Sequence, residues 1–197
     1  MTSPDTIRLC FYDPRQDAEG RLNHMVARAD GPFCHCELQF GDGQAFTIYM
    51  QGKAVLRPRR FSSPNYTMIS VPCTRKQEAL CRTFAQEAAG RVPFSTLRMV
   101  NAFCRLPSLV GGGADPPSAL AHAAHGSFCS ELVAEALQAG GVLPLGVAAR
   151  HATPSGLARL LGGGVEQVER TATQAHSETP RRPTPALGFR EGVTDMK

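Results

Sequence analysis

A chain of 197 residues, 42% of them hydrophobic, is long enough to bury one real core and too short for two comfortable ones. Its net charge of +4 comes without a long basic run, and with no Trp and three Tyr it is poorly supplied with stacking platforms for single-stranded nucleic acid. Nucleic-acid binding is therefore not expected as its role, and no apolar run approaches the ~20 residues a spanning helix needs.

Taken in chain order, the first residues show no basic stretch leading into an apolar one, so no secretory signal is expected. Ile7–Tyr12 alternates apolar and polar side chains and reads as a strand with one buried face, ended by Asp13-Pro14. Arg21–Ala29 reads as a short helix closed by Gly31-Pro32. Cys34–Phe40 and Ala45–Met50 flank Asp42-Gly43, a hairpin signal, and Lys53–Leu56 continues the meander. The basic cluster Arg57, Arg59 and Arg60 reads as a solvated loop. Tyr66–Val71 is a further strand, which Pro72 is expected to stop.

Thr74 and Gln77 form a capping box ahead of a helix whose buried face is expected to carry Leu80, Cys81, Phe84, Ala85 and Ala88, with Gly90 as its stop. Val92–Cys104 is a mixed, partly helical segment. Gly111–Gly126 is rich in Gly, Ala and Pro and reads as a mobile loop lining a cleft. Ser127–Ala139 is the second strong helix, with Leu132, Val133, Ala136 and Leu137 as its core stripe and Gly140-Gly141 as its end. Thr153-Pro154 opens a third helix with Thr153 as N-cap. Residues 1–164 are expected to form the folded domain, and 165–197, which lack apolar periodicity, a disordered tail.

Seven cysteines, an odd number, point to free thiols in a reducing compartment and a cytoplasmic location. Cys129 opens the second strong helix directly after a loop. Unpaired amides and the positive dipole end of a helix N-terminus favour a thiolate, and the same amides suit an oxyanion. A thiolate nucleophile needs a base, and of His24, His35, His122, His125, His151 and His176 only His35 falls within a well-defined strand. With period two, His35, Glu37 and Gln39 share one face, and Cys36, Leu38 and Phe40 the other. The adjacency of Cys34, His35 and Cys36 suggests zinc, but consecutive strand positions point to opposite faces and paired-cysteine spacing is absent, so no metal and no cofactor are expected.

Three stretches resemble the permuted branch of the NlpC/P60 superfamily of papain-like proteins, which includes the YiiX type, poxvirus relatives and the lecithin:retinol acyltransferase group. They are Pro32–Gly43 around His35, Ser127–Val133 around Cys129, and Thr153-Pro154-Ser155-Gly156-Leu157. The resemblance spans about residues 5 to 162 and implies an α+β, circularly permuted papain-like fold: an antiparallel sheet packed against a cysteine-bearing helix, the His strand preceding that helix. It implies a cysteine hydrolase (a peptidase- or amidase-like thiol enzyme) or an acyltransferase, with Cys129 as nucleophile and His35 as base. Backbone groups near Cys129, at Phe128 and Ser130, would hold the oxyanion. Glu37 is the candidate to orient His35, with Gln39 behind it. The substrate would be a peptide, isopeptide or acyl ester.

The chain departs from that pattern twice. Phe94 stands where family members often carry Tyr, and Thr47 stands where the acyltransferase group has a second His. The alternative is a catalytically silent papain-like binding or structural protein, for instance one of virion or host interaction. Peptidoglycan cleavage is not expected without an export signal.

Overall fold

The computed structural model describes residues 5–16, 20–62, 64–104 and 123–162. The tail 165–197 and most of the glycine-rich stretch, 111–122, lie outside the described residues. In chain order the elements are β1 (Asp5–Tyr12), a helical turn (Pro14–Gln16), α1 (Arg21–Asp30), β2 (His35–Gln39), β3 (Gln44–Ile48), β4 (Ala54–Pro58) and β5 (Tyr66–Cys73). Then follow α2 (Arg75–Ala88), α3 (Thr96–Cys104), α4 (Cys129–Ala139), a helical turn (Ala149–His151) and α5 (Pro154–Gly162). The protein is α+β, with one antiparallel five-stranded sheet in the order β4-β3-β2-β1-β5.

Alternation builds the sheet as the sequence predicts. The pairs Leu9↔Leu38 and Phe11↔Cys36 align the apolar rows of β1 and β2 on one face. Ile7, Leu9, Phe11, Cys36, Leu38 and Phe46 on that face are wholly buried. The Asp42-Gly43 turn closes on hydrogen bonds from Gly43 N to Phe40 O at 3.0 Å and from Phe40 N to Gln44 O at 2.9 Å. One strand end differs from expectation. β5 runs through Pro72, which pairs with Thr6, because β5 is an edge strand and its outer side needs no amide donor.

α2 begins at the predicted capping box, with Gln77 N donating to Thr74 Oγ1 and Thr74 N donating back to Gln77 Oε1. Cys81, Phe84, Ala85 and Ala88 pack inward, Phe84 meeting Phe46 edge-on at 6.3 Å. Leu80 is 43% exposed, since the spacing that buries Cys81, Phe84 and Ala88 turns it off the contact face. α4 goes further than its predicted stripe. Every residue from Cys129 to Gln138 is buried, so this is the central helix, enclosed by the sheet, α2 and α5. At its buried end Gln138 Nε2 donates to Val147 O at 2.7 Å and to Pro144 O at 3.1 Å.

No helix among the described residues is long and apolar enough to cross a membrane, and all seven cysteines are free.

The end of α4 meets α2 with almost no gap. A Cβ on Gly140 would lie 2.3 Å from Cys81 Sγ and 2.8 Å from Gln77 O. Gly140→Ala should therefore lower stability in urea by ~1–3 kcal/mol through overpacking. Adding Cys81→Ala should recover only part of that loss, because the Gln77 carbonyl remains in the way. An unchanged urea midpoint would contradict this packing.

Candidate active site

The first turn of α4 is placed from outside the helix. Ser127 N donates to Pro93 O at 3.0 Å and Ser95 N donates to Ser127 O at 2.8 Å, so the strand-like segment 93–95 grips the chain just before Cys129. Gly126 makes this possible: its φ is +71°, and a Cβ there would sit 2.8 Å from Pro93 O. Phe128 is the N-cap, extended at φ −132° and ψ 169°, and gives no side-chain cap. Helix geometry provides no intrahelical acceptor for the amides of Cys129, Ser130 and Glu131.

Glu131, wholly buried in that first turn, binds Arg98 of α3. Arg98 Nε donates to both carboxylate oxygens at 3.1 Å, Nη2 also donates to Oε1, and Ser127 Oγ donates to Oε2 at 2.9 Å. A carboxylate at a helix N-terminus is favourable in itself. Here it also fastens α3 to the cysteine end of α4.

The start of β2 is held by the Thr153-Pro154-Ser155 stretch. Phe33 N donates to Ser155 Oγ at 3.1 Å, two residues before His35. Thr153 caps α5 by accepting from Gly156 N at 3.0 Å, and donates to Asp30 at the end of α1. Arg159 Nη2 donates to the same carboxylate at 3.0 Å. On the other side Cys34 N donates to Tyr12 O at 3.0 Å. The three sequence stretches singled out above therefore converge in space.

At their meeting point lies the Cys129 sulfur. It lines one cleft with His35 and Cys34, and Cys36 belongs to the same buried cluster. The Cys36 hydrogen bond is the strongest influence; with the charge and hydrogen bond of His35 and the Cys36 amide, it holds the Cys129 thiol well below its ordinary range against the opposing effect of burial. His35 shows the counterpart. Burial alone would lower its pKa, but the Cys129 charge and hydrogen bond, with Glu37 beyond, carry it above its ordinary value. The neighbouring cysteines behave oppositely: burial, first of all, pushes Cys10 and Cys34 up to about 12, and drives Cys36 upward as it donates to Cys129.

Behind His35 stands Thr47. Its hydroxyl proton goes to Cys36 O at 2.8 Å, so toward His35 Nε2, 3.3 Å away, the oxygen can only accept. An acceptor there favours the tautomer with its proton on Nε2. Glu37, on the same strand face as expected, lies farther off, its Oε1 3.7 Å from Nε2. The same oxygen is 3.0 Å from Arg59 Nε and accepts from Tyr49 Oη at 3.2 Å and Tyr66 Oη at 3.4 Å. Tyr49 also stacks on the His35 ring, centroids 5.1 Å apart and planes at 24°.

The sequence expectation for the basic cluster is thereby corrected. Arg59 is no solvated loop residue: it packs over the rings of Tyr49, Phe61 and Tyr66 and donates to Tyr66 Oη at 2.8 Å. The reason is Glu37, which is 1% exposed and requires a buried partner. Gln39 Nε2 braces the same loop through Arg59 O at 3.1 Å.

Cys129 and His35 open onto a cleft of about 550 Å³. Its walls include Tyr12, Tyr49, Tyr66, Met50, Met99 and Phe94. Phe128 and Ser130 flank Cys129 in the buried turn, and Ser130 Oγ has no hydrogen-bond partner. His24, His125 and His151 do not line this cleft, and His122 and His176 lie outside the described residues.

Sequence reading missed Thr47, Tyr49, Arg59 and Tyr66. The hairpin held the signal for two of them: carrying the register Leu38↔Phe46 back along β2 sets Glu37 beside Thr47 and His35 beside Tyr49.

Arg59→Ala should cost ~3–5 kcal/mol, because it strands a buried carboxylate. Combining it with Glu37→Gln should recover much of that loss. A double-mutant cycle in urea measures the coupling; independent, additive effects would contradict the buried pair.

Comparisons with protein-family models, with curated proteins and with solved structures give no match for this chain.

Proposed function

We propose that this chain is a cysteine hydrolase or acyltransferase of the permuted papain-like kind, with Cys129 as nucleophile and His35 as its base. The observation that carries the reading is that Cys129, at the uncapped first turn of a buried helix, lines one cleft with His35. Among the cysteines beside the cleft, the same surroundings lower the thiol pKa of Cys129 and raise that of its donor Cys36. The order of the parts supports the permuted assignment: the His strand β2 precedes the cysteine helix α4, with sheet and helix between.

In this mechanism the Cys129 thiolate attacks a carbonyl carbon presented in the cleft, forming a tetrahedral oxyanion. First-turn amides, Ser130 among them, and the helix dipole stabilise that charge. The His35 imidazolium passes its proton to the leaving group, breaking the carbonyl bond and leaving an acyl-enzyme. Water, or a second nucleophile activated by the now neutral His35, attacks the thioester and frees Cys129. Amide, isopeptide, ester and thioester bonds all suit this sequence of steps. Thr47 takes the orienting role by accepting from Nε2, and Glu37 contributes from 3.7 Å as an electrostatic partner. With Thr47 in place of a second His, acyl transfer of the retinol-acyltransferase type is not the form favoured.

The ion pair exists at pH values above the lowered Cys129 pKa and below the raised His35 pKa. Iodoacetamide alkylation of Cys129, followed by mass spectrometry, should therefore stay fast well below the ordinary thiol pKa of ~8.5 and fall only as pH drops through the lowered value. His35→Ala should move that fall to higher pH, toward the ordinary range, with the influence of Cys36 remaining. Thr47→Val, which removes a single neutral hydrogen-bond acceptor worth about 1 kcal/mol, should move that fall to higher pH and slow Cys129 about fivefold on the acidic limb. A Cys129 that alkylates no faster than the other cysteines at acidic pH would sink the reading.

A further inference from the structure

We propose that the cleft selects an acyl donor whose group beside the scissile carbonyl is uncharged and apolar, an aromatic ring fitting best. This rests on the reading of Cys129 as the nucleophile and goes on to name what it attacks. All three tyrosines of the chain line the cleft, and strand register sets them in one row with the base. Tyr12 pairs with His35 on one side and with Tyr66 on the other, and the β2–β3 register carried back sets Tyr49 beside His35. Residues opposite each other on neighbouring strands share a face. At a strand spacing of ~4.8 Å, the row Tyr49, His35, Tyr12, Tyr66 therefore runs roughly 14 Å across the sheet. The rings touch within it: His35 stacks on Tyr49 with centroids 5.1 Å apart, and Tyr12 meets Tyr66 at 5.3 Å.

What this floor presents is ring carbon rather than hydroxyl. Tyr49 Oη and Tyr66 Oη both donate to Glu37 Oε1, at 3.2 Å and 3.4 Å. Glu37 is buried and is not part of the cleft wall, so the polar ends of these two rings are tied down beneath it. Phe94 and Met99 add apolar wall from outside the sheet. At about 550 Å³ the cleft is of the size that takes a small organic group.

Charge is matched before any substrate arrives. Apart from Cys129 and His35, Arg59 is the one charged side chain lining the cleft among the described residues. Its Nε lies 3.0 Å from Glu37 Oε1, so a substrate carboxylate would have to compete with Glu37. Its guanidinium also lies over the Tyr49 and Tyr66 rings, 5.9 Å and 5.7 Å from their centroids, which is where a substrate cation would be drawn. An ammonium would meet Arg59 there. An uncharged ring meets neither obstacle, and packing offset or edge-on against the row adds to the gain from burying its carbon.

The test uses the full reduced chain and iodoacetamides that share one reactive group: unsubstituted, N-benzyl, N-hexyl, N-carboxymethyl and N-(2-aminoethyl). Each rate at Cys129, read by mass spectrometry at neutral pH, is divided by the rate at the exposed Cys104, which corrects for intrinsic reactivity. The benzyl probe should raise this ratio about tenfold or more over iodoacetamide itself, the order that burying a ring allows. The hexyl probe should raise it less, and the two charged probes not at all. Tyr12→Ala and Tyr66→Ala should each cut the benzyl gain about threefold or more, whereas Tyr66→Phe, which keeps the ring and loses the hydroxyl, should retain it. A benzyl gain that survives both alanine substitutions overturns the row as the binding surface, and a hexyl probe that matches the benzyl one overturns the ring preference. Equal ratios for all probes, or a charged probe that outruns the benzyl one, overturn the apolar assignment while an acid-reactive Cys129 keeps the nucleophile reading. A Cys129 that reacts with iodoacetamide no faster than the other cysteines at acidic pH overturns both.

Discussion

The cleft depends on how the N-terminus of α4 is buried. Helix starts normally sit in water or carry a side-chain cap, because their first amides have no partner within the helix. Phe128 provides no cap, and the whole first turn is sunk in the protein. The turn is instead held by its surroundings: backbone bonds to Pro93 and Ser95 before it, and the Arg98–Glu131 pair beside it. Each of these fixes a position rather than merely adding attraction. Gly126 shows how little room is left, since its backbone angle and its approach to Pro93 both exclude a side chain.

Two buried charge pairs share β2, and their arrangement keeps them separate. Glu37 without Arg59 would be a lone carboxylate in a dry site, able to take His35 as its ion-pair partner. With Arg59 at 3.0 Å and His35 at 3.7 Å, the carboxylate has its closer cation elsewhere. The effects on His35 rank accordingly: the Cys129 charge raises its pKa more than Glu37 does, and Arg59 pushes the other way. The second pair thus supports the first without capturing it. Tyr49 links them physically, its ring stacked on His35 and its hydroxyl donating to Glu37.

Much of this was legible in the chain itself. Period-two alternation gave β1, the hairpin turn gave β2 and β3, and the capping box gave the start of α2 within a residue. Cys129 and His35 stood out because helix starts and strand faces have local signatures. What periodicity could not supply was long-range partnership. Arg59 reads as one arginine in a basic loop until the sheet brings it over Glu37, 22 positions earlier by their numbers. Thr47 is an ordinary strand threonine until the hairpin register sets it behind His35. Leu80 and Pro72 failed for a different reason: each rule was sound for a generic element and gave way to the actual contact face and to an edge position.

The alternation rule also explains why this thiol is so strongly held. Within a strand, His35 and Cys36 should face opposite sides and could not serve one atom, which is the argument against a zinc site built from adjacent residues. Both nevertheless act on Cys129: His35, the first residue of β2, lines the cleft with it, and Cys36 shares its buried cluster. Where burial dominates, as at Cys10 and Cys34, the thiol is pushed up to about 12. At Cys129 the hydrogen-bonding influence of Cys36 and the charge of His35 outweigh burial, and that balance is what makes it differ from the cysteines around it.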